Sequence, residues 1–269
     1  MAVLACSVAL IMPTASKAKA GARVVLDTPL PVLYVYDHCP FCVRVRFAFG
    51  AKNFKFDTRF MANDDIPTPT ALVGKKIAPI FEDKEKSICM AESMDIVKLA
   101  DADERYGNTG VFKPATDRGD IKAWMKSVKS RNSMMQRPRY MMSYLPEFAT
   151  QDGKDAFVKN HPVGDVPKPD WKDDSKFTYD QRWSAYVDSY KESLTKIDEV
   201  SASLKELDDL IYCGDYCTEG GLSYDDIDLW SRLRSLTIIK GVDWPAKTWQ
   251  YMTNLSELGD VPLLDTMQC

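Results

Sequence analysis

The feature that most constrains this chain is the motif Cys39-Pro40-Phe41-Cys42, which lies between a run of β-forming residues and the start of a helical pattern. Leu33-Tyr34-Val35-Tyr36 is typical of a short strand. Proline is well tolerated at the first position of a helix, so Pro40 predicts a helix start with Cys39 at the N-cap. Cys42 then lies one turn further on, within reach of a disulfide with Cys39. The motif predicts a strand, a dithiol and a helix in succession.

The elements that follow the motif predict a small α/β domain. Residues Lys52 to Phe60 alternate with period two and predict a second strand, and a short helix is expected across Thr68 to Val73. Ile77 to Phe81 and Ile88 to Met90 predict two further strands around a charged turn, and Ser93 starts another helix. The order β-α-β-α-β-β-α is the thioredoxin-like arrangement. We expect this domain to occupy residues 31–107.

The second half of the chain predicts helices only. A linker at residues 108–118 leads to an all-helical part at residues 119–269. Residues 151–179 are charged and rich in proline, which predicts a surface excursion. The apolar residues from Asp180 to Ile211 favour one long amphipathic helix, and the residues from Leu229 to Ile239 predict a helix buried at the centre of its domain.

The composition excludes several classes of function. A net charge of −4 and a pI near 5.4 argue against nucleic-acid binding. The longest apolar run is too short and too interrupted for a span of about 20 residues, so no membrane partner is expected. Seven cysteines at irregular spacing make a poor disulfide framework and favour a reducing compartment.

Residues 1–30 differ from the rest of the chain. No acidic residue occurs before Asp27, and Ala18-Lys19-Ala20 is a candidate cleavage site. The segment therefore predicts a targeting sequence, and a disordered extension is the alternative. The expected compartment is the cytoplasm or, if this segment is a transit peptide, an organelle such as a plastid.

The motif predicts different roles for its two cysteines. Free amides and the positive end of the helix dipole lie beside an N-cap thiol and lower its pKa below the usual value of about 8.5. We expect Cys39 to attack disulfides, Cys42 to resolve the mixed disulfide, and the pair to form the redox disulfide. Arg44 and Arg46 are expected to add positive charge. The alternative is a zinc half-site, but the chain has only two histidines and no matching cysteine pair in this half, so no metal is expected.

Three further positions are candidates for the site. His38 precedes the thiol and is either a source of positive charge or a loop residue at the rim. Ala78-Pro79 comes before a strand and would face the dithiol, with its isomer left open. Ser93 as an N-cap leaves amides for a carboxylate, and Glu92 could accept an ammonium group, which together match the γ-glutamyl end of glutathione. An ordinary helix start after a surface glutamate is the alternative.

Several segments together resemble the two-domain glutaredoxins of the glutaredoxin 2 type, over about residues 32–267. They are Tyr36-Asp37-His38-Cys39-Pro40-Phe41-Cys42, Pro69-Thr70 through Val73-Gly74, Ala78-Pro79-Ile80, Glu92 to Val97, Leu222 to Ile227, and Gly241-Val242-Asp243-Trp244-Pro245. The resemblance implies a glutathione S-transferase-like architecture, with a thioredoxin-like α/β domain packed on a helical bundle. It also implies that Ser223-x-x-Asp226 is a structural N-capping box of the central helix.

The resemblance implies a function as well. It predicts a glutathione-dependent oxidoreductase that reduces glutathionyl mixed disulfides and protein disulfides, and we expect a monomer. Glutathione, the co-substrate, would contact Cys39, Phe41, Ala78, Pro79, Glu92 and Ser93. The alternatives are a glutathione S-transferase-like thioltransferase and a non-catalytic glutathione-binding protein.

The chain departs from the family pattern in four places. Ala78 replaces a valine, residues 151–179 form a longer stretch than expected, and the N-terminal extension and Cys213-x-x-x-Cys217 are additions. The added cysteines are a second redox pair or two incidental thiols.

Overall fold

The computed structural model describes residues 29–269. The segment predicted as a targeting sequence or extension, residues 1–30, lies outside the described part except for its last two residues. Within the described range no helix combines the length and the apolar character that a membrane span requires.

The first part of the described chain is a four-stranded mixed sheet flanked by helices. The strands are β1 (Val32–Val35), β2 (Asp57–Phe60), β3 (Ile80–Asp83) and β4 (Ile88–Ala91), and their spatial order is β2-β1-β3-β4. β1 pairs parallel with β2 and antiparallel with β3, which pairs antiparallel with β4. The helices are α1 (Pro40–Ala51), α2 (Pro67–Val73) and α3 (Ser93–Ala102). The predicted order of elements is confirmed.

Two predicted strands are shorter than the sequence pattern suggested. The stretch Lys52 to Phe60 forms a strand only from Asp57, because α1 continues to Ala51 and the Lys52 amide donates to the Ala48 carbonyl. Asn53 then has a positive φ of 54°, which turns the chain before the strand begins. The stretch Ile77 to Phe81 forms a strand only from Ile80.

The rest of the described chain is helical. The helices are α4 (Gly119–Met142), α5 (Gln151–Asn160), α6 (Lys168–Lys172), α7 (Tyr179–Leu194), α8 (Ile197–Leu210), α9 (Tyr224–Leu233) and α10 (Ala246–Gly259). Short 3-10 turns occur at Glu104–Tyr106, Pro146–Phe148, Arg234–Ile238 and Asp265–Met267. The central helix α9 and the turn after it are buried along most of their length, as predicted.

Two predictions for the helical part are wrong. Residues 151–179 are a folded segment that contains α5 and α6, and it buries Phe157 and Trp171. The stretch Asp180 to Ile211 forms two helices instead of one, because the chain breaks at Thr195 and Lys196 between α7 and α8. In residues 151–179, the many charged residues and prolines outweigh the few aromatic residues that are buried. Between α7 and α8, apolar residues continue across the break, so the sequence pattern does not mark it.

Helix α1 joins the two parts of the molecule. One side of α1 packs on α3, and another side packs on α9 and α10. Phe47 of α1 lies 5.1 Å from the Trp230 ring of α9, measured between ring centroids. The start of α1, where the dithiol lies, is therefore held by the sheet and by the helical part together.

Candidate active site

The register of the sheet brings the predicted site segments to one end of its strands. Tyr34 near the end of β1 is opposite Ile80 at the start of β3, and Ile80 is opposite Ala91 at the end of β4. Three segments therefore meet at the same end of the strands: the loop that leads to Cys39, the Ala78-Pro79 pair and the Glu92-Ser93 pair. The Ala78–Pro79 peptide bond is cis, and Pro79 is buried.

Cys39 occupies the N-cap of α1, with Pro40 at the first helical position, as the motif predicts. Its side chain is half-buried. The pKa of the Cys39 thiol is lowered to about 6, chiefly by a hydrogen bond from the Cys42 thiol. Burial opposes this shift, whereas the charge of His38 and the backbone amides of Cys42 and Phe41 support it. The helix start contributes to the acidity of Cys39, but the neighbouring thiol contributes most.

Cys42 has the opposite character. Its side chain is fully buried, and its sulfur accepts a hydrogen bond from the Tyr36 amide at 3.4 Å. Burial raises the pKa of the Cys42 thiol well above its ordinary value. One thiol of the pair is therefore acidic and reachable, and the other is protonated and enclosed, which suits an attacking and a resolving cysteine.

The two arginines expected to supply charge are engaged elsewhere. Arg44 pairs with Asp228 of α9, and Arg46 pairs with Asp37. Neither is among the main causes of the acidity of Cys39, so the expectation about these residues is corrected. The side chain whose electrostatic contribution lowers the pKa of Cys39 is instead that of His38.

Phe41 lies on the outer surface of the motif. Its side chain is 45% exposed, and the guanidinium of Arg44 lies 4.7 Å from the centre of its ring. Arg232 of α9 lies 5.9 Å from the same ring. The aromatic face is thus presented at the rim of the site between two cations.

The helix start at Glu92 and Ser93 differs by one residue from the prediction. Glu92 is the N-cap of α3, and Ser93 is the first helical residue. Glu92 has a φ of 75°, which is unusual for a residue with a side chain, and its exposed carboxylate lies 3.9 Å from Lys75 Nζ. Ser93 is buried, and its hydroxyl accepts a hydrogen bond from Arg44 at 3.4 Å. The Asp95 amide donates to the Glu92 carbonyl at 3.1 Å, whereas the Ser93 and Met94 amides have no partner within the helix, so they remain available to an anion.

Sequence reasoning missed a residue that contacts the loop before Cys39. Glu147, in the turn Pro146–Phe148 of the helical part, is fully buried. Its Oε1 accepts a hydrogen bond from the His38 amide at 2.8 Å and lies 2.6 Å from His38 Nδ1. Glu147 is 109 positions from His38 in the sequence, and no motif or spacing marks it.

A second contact from the helical part holds the preceding residue. Arg234 is buried, and it donates to the Asp37 carbonyl at 2.7 Å and to Asp37 Oδ1 at 3.0 Å. Burial alone would raise the pKa of Asp37, but the charges of Arg234 and Arg46 outweigh it and hold the pKa below its ordinary value. Asp37 and His38 are therefore both held by residues of the helical part.

The added cysteines lie away from this site, in the turn that follows α8. Their segment is closed by backbone hydrogen bonds from Cys213 to Tyr216 and from Tyr212 to Cys217. Cys217 is fully buried, and burial raises the pKa of its thiol. Such a thiol is a poor nucleophile, which favours incidental cysteines. Among residues 29–269, no three histidine, cysteine or acidic side chains are grouped to hold a metal ion.

Comparison with known solved structures supports the architecture. The fold matches the crystal structure of glutaredoxin 2 from Salmonella typhimurium in complex with glutathione, with a TM-score of 0.74 and 30% identity over 90% of this chain and 100% of that one. A glutathione S-transferase from Rhodospirillum rubrum matches with a TM-score of 0.51 and 13% identity over 88% of this chain and 91% of that one, a likeness of fold alone.

Comparison with known sequences gives the family. Residues 33–109 match the N-terminal domain of glutathione S-transferases, and residues 170–268 match the C-terminal domain of glutaredoxin 2. Glutaredoxin 2 of Escherichia coli K12 is 34% identical over 236 residues, which cover 87% of this chain and 98% of that protein. This chain therefore belongs to the glutaredoxin 2 family, with a glutathione S-transferase-like fold.

Proposed function

We propose that this protein is a glutathione-dependent thiol–disulfide oxidoreductase in which Cys39 attacks and Cys42 resolves. The observation that carries the proposal is the pair of thiols at the start of α1, because the accessible Cys39 has a pKa of about 6 and the buried Cys42 stays protonated. Near neutral pH the Cys39 sulfur is an anion, which is the form that attacks disulfides. Membership of the glutaredoxin 2 family supports the same chemistry.

The reaction begins when the Cys39 thiolate attacks the glutathione sulfur of a glutathionylated protein. The original S–S bond breaks, a bond between Cys39 and glutathione forms, and the substrate cysteine leaves as a thiolate that takes up a proton. A second glutathione thiolate then attacks the bound glutathione sulfur. This step releases oxidised glutathione and restores the Cys39 thiolate.

Protein disulfides use the second cysteine. Cys39 forms a mixed disulfide with one sulfur of the substrate, and the other sulfur leaves. Cys42 loses its proton, attacks Cys39 and forms the intramolecular disulfide, which releases the reduced substrate. Two glutathione molecules then reduce the pair and become oxidised glutathione.

Glutathione would lie across the end of the strands at which the site segments meet, in contact with Cys39, Phe41, Ala78, Pro79, Glu92 and Ser93. The first amides of α3 suit the α-carboxylate of its γ-glutamyl group, and the exposed carboxylate of Glu92 suits the ammonium group. The Salmonella relative was solved in complex with glutathione, which supports glutathione as the ligand. Lys75, close to Glu92, would have to share that carboxylate with the ligand.

The compartment, substrates and domain roles are inferred from the same dithiol chemistry. We infer a reducing compartment and a monomer that acts on glutathionylated or disulfide-bonded proteins, with residues 31–107 as the thioredoxin-like domain and residues 119–269 as the helical domain. The relatives from Escherichia coli and Salmonella are bacterial, and they give no support to an organelle.

Two cysteine variants test the proposal. Cys39→Ser should abolish both deglutathionylation and the reduction of protein disulfides, because the attacking sulfur is gone. Cys42→Ser should retain deglutathionylation and lose most of the reduction of protein disulfides. Both activities are measured by coupling the formation of oxidised glutathione to its reductase. An equal loss of both activities in the two variants would contradict the proposed roles.

A parallel assay separates the alternatives. With an aromatic electrophile in place of the disulfide, the wild-type protein should form little conjugate, because Cys39 bonds to glutathione instead of holding its thiolate free. Rapid conjugation would favour the transferase, and binding of glutathione without turnover of either substrate would favour the non-catalytic protein.

A further inference from the structure

The contact between Glu147 and His38 has the geometry of a buried ion pair. One carboxylate oxygen receives both the backbone amide and the ring nitrogen Nδ1 of His38, at 2.8 Å and 2.6 Å. Glu147 is 0% exposed and the His38 side chain is 12% exposed. Within the described residues, the other oxygen, Oε2, has no hydrogen-bond partner. His38 therefore provides both hydrogen bonds to this carboxylate, and both go to Oε1.

Aromatic rings surround the imidazole on its other sides. The ring centres of Tyr36, Tyr140, Phe148 and Phe157 lie 5.0 to 5.9 Å from that of His38. These rings leave the imidazole little freedom to rotate. Nδ1 is thus directed at Glu147, and the ring is held at a fixed position next to the Cys39 residue that follows it in the chain.

The charge state of this pair follows from the carboxylate. Burial alone would raise the pKa of Glu147, but the hydrogen bond from His38 and its charge lower it below the ordinary value. An ionised carboxylate can only accept, so Nδ1 must carry a proton. A buried carboxylate is costly without a positive partner, and the His38 ring is the group placed to supply one.

No other neighbour takes over this role. Burial lowers the pKa of His161, the other histidine, to about 3, so it is neutral. Burial raises the pKa of both Tyr36 and Tyr140, so these phenols are neutral as well. Two nearby cations are engaged by other groups: the guanidinium of Arg137 bonds to the Pro162 carbonyl, and Arg234 donates to Asp37.

We propose that Glu147 is a positioning residue that holds the imidazole of His38, the residue before Cys39, as a cation, so that the helical part of the molecule sets the reactivity of a thiol in the α/β part. This inference rests on the proposed function of Cys39. It also argues against the alternative of His38 as a rim residue, because the ring is enclosed and only 12% exposed. The electrostatic effect of His38 on the Cys39 thiol supports the proposal.

The variant Glu147→Gln tests the charge while it preserves the shape. The amide oxygen of glutamine can still accept both hydrogen bonds from His38, but it no longer stabilises the cation. Reduced protein is treated with iodoacetamide across a pH series, and the modification of Cys39 is followed by peptide mass spectrometry. At pH 6 the variant should react about three- to tenfold more slowly than wild type, because fewer Cys39 thiols are ionised. At pH 9 the two rates should be equal. A slower rate at both pH values would indicate a merely structural role and would overturn the proposal.

Two further variants complete the experiment. His161→Asn removes a neutral histidine from the same aromatic cluster, so the Cys39 profile should stay at that of wild type. The double variant His38→Asn/Glu147→Gln leaves no buried charge, so it provides the measurement if Glu147→Gln does not fold. It should show the same loss at pH 6. A double variant with a wild-type profile overturns the proposal.

The outcomes also separate this inference from the proposed function. If wild-type Cys39 is no more acidic than an ordinary thiol, the proposed function fails. If wild-type Cys39 is acidic and Glu147→Gln has the same profile, only the role of Glu147 fails.

Discussion

Two cysteines three positions apart acquire opposite acidities through their surroundings. Cys39 is at the open end of a helix and receives hydrogen bonds from the Cys42 thiol and from backbone amides, all of which favour its anion. Cys42 lies one turn deeper and is removed from water, which favours its neutral form. Because Cys42 donates to Cys39, the protonated thiol stabilises the thiolate beside it.

The hydrogen bond between the thiols gives the first prediction. Cys42→Ala removes the donor, so the pKa of Cys39 should rise and its alkylation rate at pH 6 should fall by about three- to tenfold. Cys42→Ser keeps a hydroxyl donor and should stay closer to wild type. The measurement is the pH profile of iodoacetamide modification at Cys39. Identical profiles for Cys42→Ala and wild type would show that the neighbouring thiol does not set the acidity.

The two histidines of the chain also differ through their surroundings. His38 faces a buried carboxylate, whereas His161 stacks on Phe157 at 4.1 Å and bonds to a backbone carbonyl. Burial without a charged partner lowers the pKa of His161 to about 3. The sequence does not distinguish the two residues, and only the packing places one ring on a buried carboxylate and the other on a phenyl ring and a backbone carbonyl.

At the scale of elements, the contact between α1 and α10 depends on two glycines. A Cβ atom built on Gly50 would lie 1.6 Å from the Gly259 carbonyl oxygen, and one built on Gly259 would lie 2.3 Å from the Phe47 ring. The backbones of α1 and α10 therefore approach each other more closely than any side chain allows. This contact fixes the helix that carries the dithiol on the helical part.

The second prediction follows from that contact. Gly50→Ala should lower the free energy of unfolding by about 3 kcal/mol or more, because the obstructing atom belongs to the backbone and the helices must separate. Gly119→Ala is the matched control, since a Cβ atom there meets nothing within 4 Å. It should be neutral or stabilise by about 0.5 kcal/mol. Urea unfolding measures both, and equal values for the two variants would contradict the close contact.

The start of the central helix α9 is held by a buried carboxylate. Asp226 Oδ2 accepts hydrogen bonds from the amide and the hydroxyl of Ser223 at 2.8 and 2.9 Å. Its Oδ1 accepts from the Cys217 amide at 2.7 Å and from the Tyr251 hydroxyl at 3.2 Å. The predicted capping box is confirmed, and it also ties α9 to α10 and to the turn after α8.

The third prediction compares the two residues of the box. Ser223→Ala should cost about 1 kcal/mol of folding free energy, since one capping group is lost. Asp226→Ala should cost about 3 kcal/mol, because it leaves several buried donors without an acceptor. Both are measured by urea unfolding. The rate of deglutathionylation per folded molecule should be unchanged in Ser223→Ala, and a large fall in that rate would assign the box to the active site.

At the scale of the whole molecule, the loop before Cys39 is assembled from both parts of the chain. Arg234 holds Asp37, and Glu147 holds His38, so the residues that precede the thiol depend on the helical part. An interface with buried ion pairs and a close helix contact predicts that the two parts unfold together.

The fourth prediction tests this coupling. All six tryptophans lie beyond residue 119, so their fluorescence reports the helical part, whereas the accessibility of the buried Cys42 thiol to iodoacetamide reports the α/β part. The two probes should give the same unfolding midpoint in guanidinium chloride. Arg234→Met should lower that midpoint by an amount equivalent to about 3 kcal/mol, because Asp37 loses a buried partner. Separate midpoints in the wild type would contradict the coupling.

Arg232→Met is the control for this experiment. Arg232 lies two positions earlier, is partly exposed and pairs with Asp228, so its loss should cost less than about 1 kcal/mol. A similar loss of unfolding free energy in both variants would mean that the buried contact with Asp37 stabilises the protein no more than an exposed ion pair does.

Much of the fold could be predicted from local patterns. The order of strands and helices, the N-cap position of Cys39 and the capping box at Ser223 were correct because each depends on residues within one turn or one strand. The errors have one physical cause. Buried aromatic residues in residues 151–179 and the break at Thr195 are decided by packing against distant segments, which a local pattern does not contain.

The sequence by itself determined the dithiol, its place at the start of a helix and the family to which the chain belongs, because these depend on neighbours in the chain. Only the tertiary structure decided what surrounds the Cys39 thiol. The cis bond at Pro79, the pairing of Arg44 and Arg46 with aspartates, and the contact of His38 with Glu147 join segments far apart in the sequence. The electrostatics of a buried site depend on distances in space, and those distances exist only once the chain has folded.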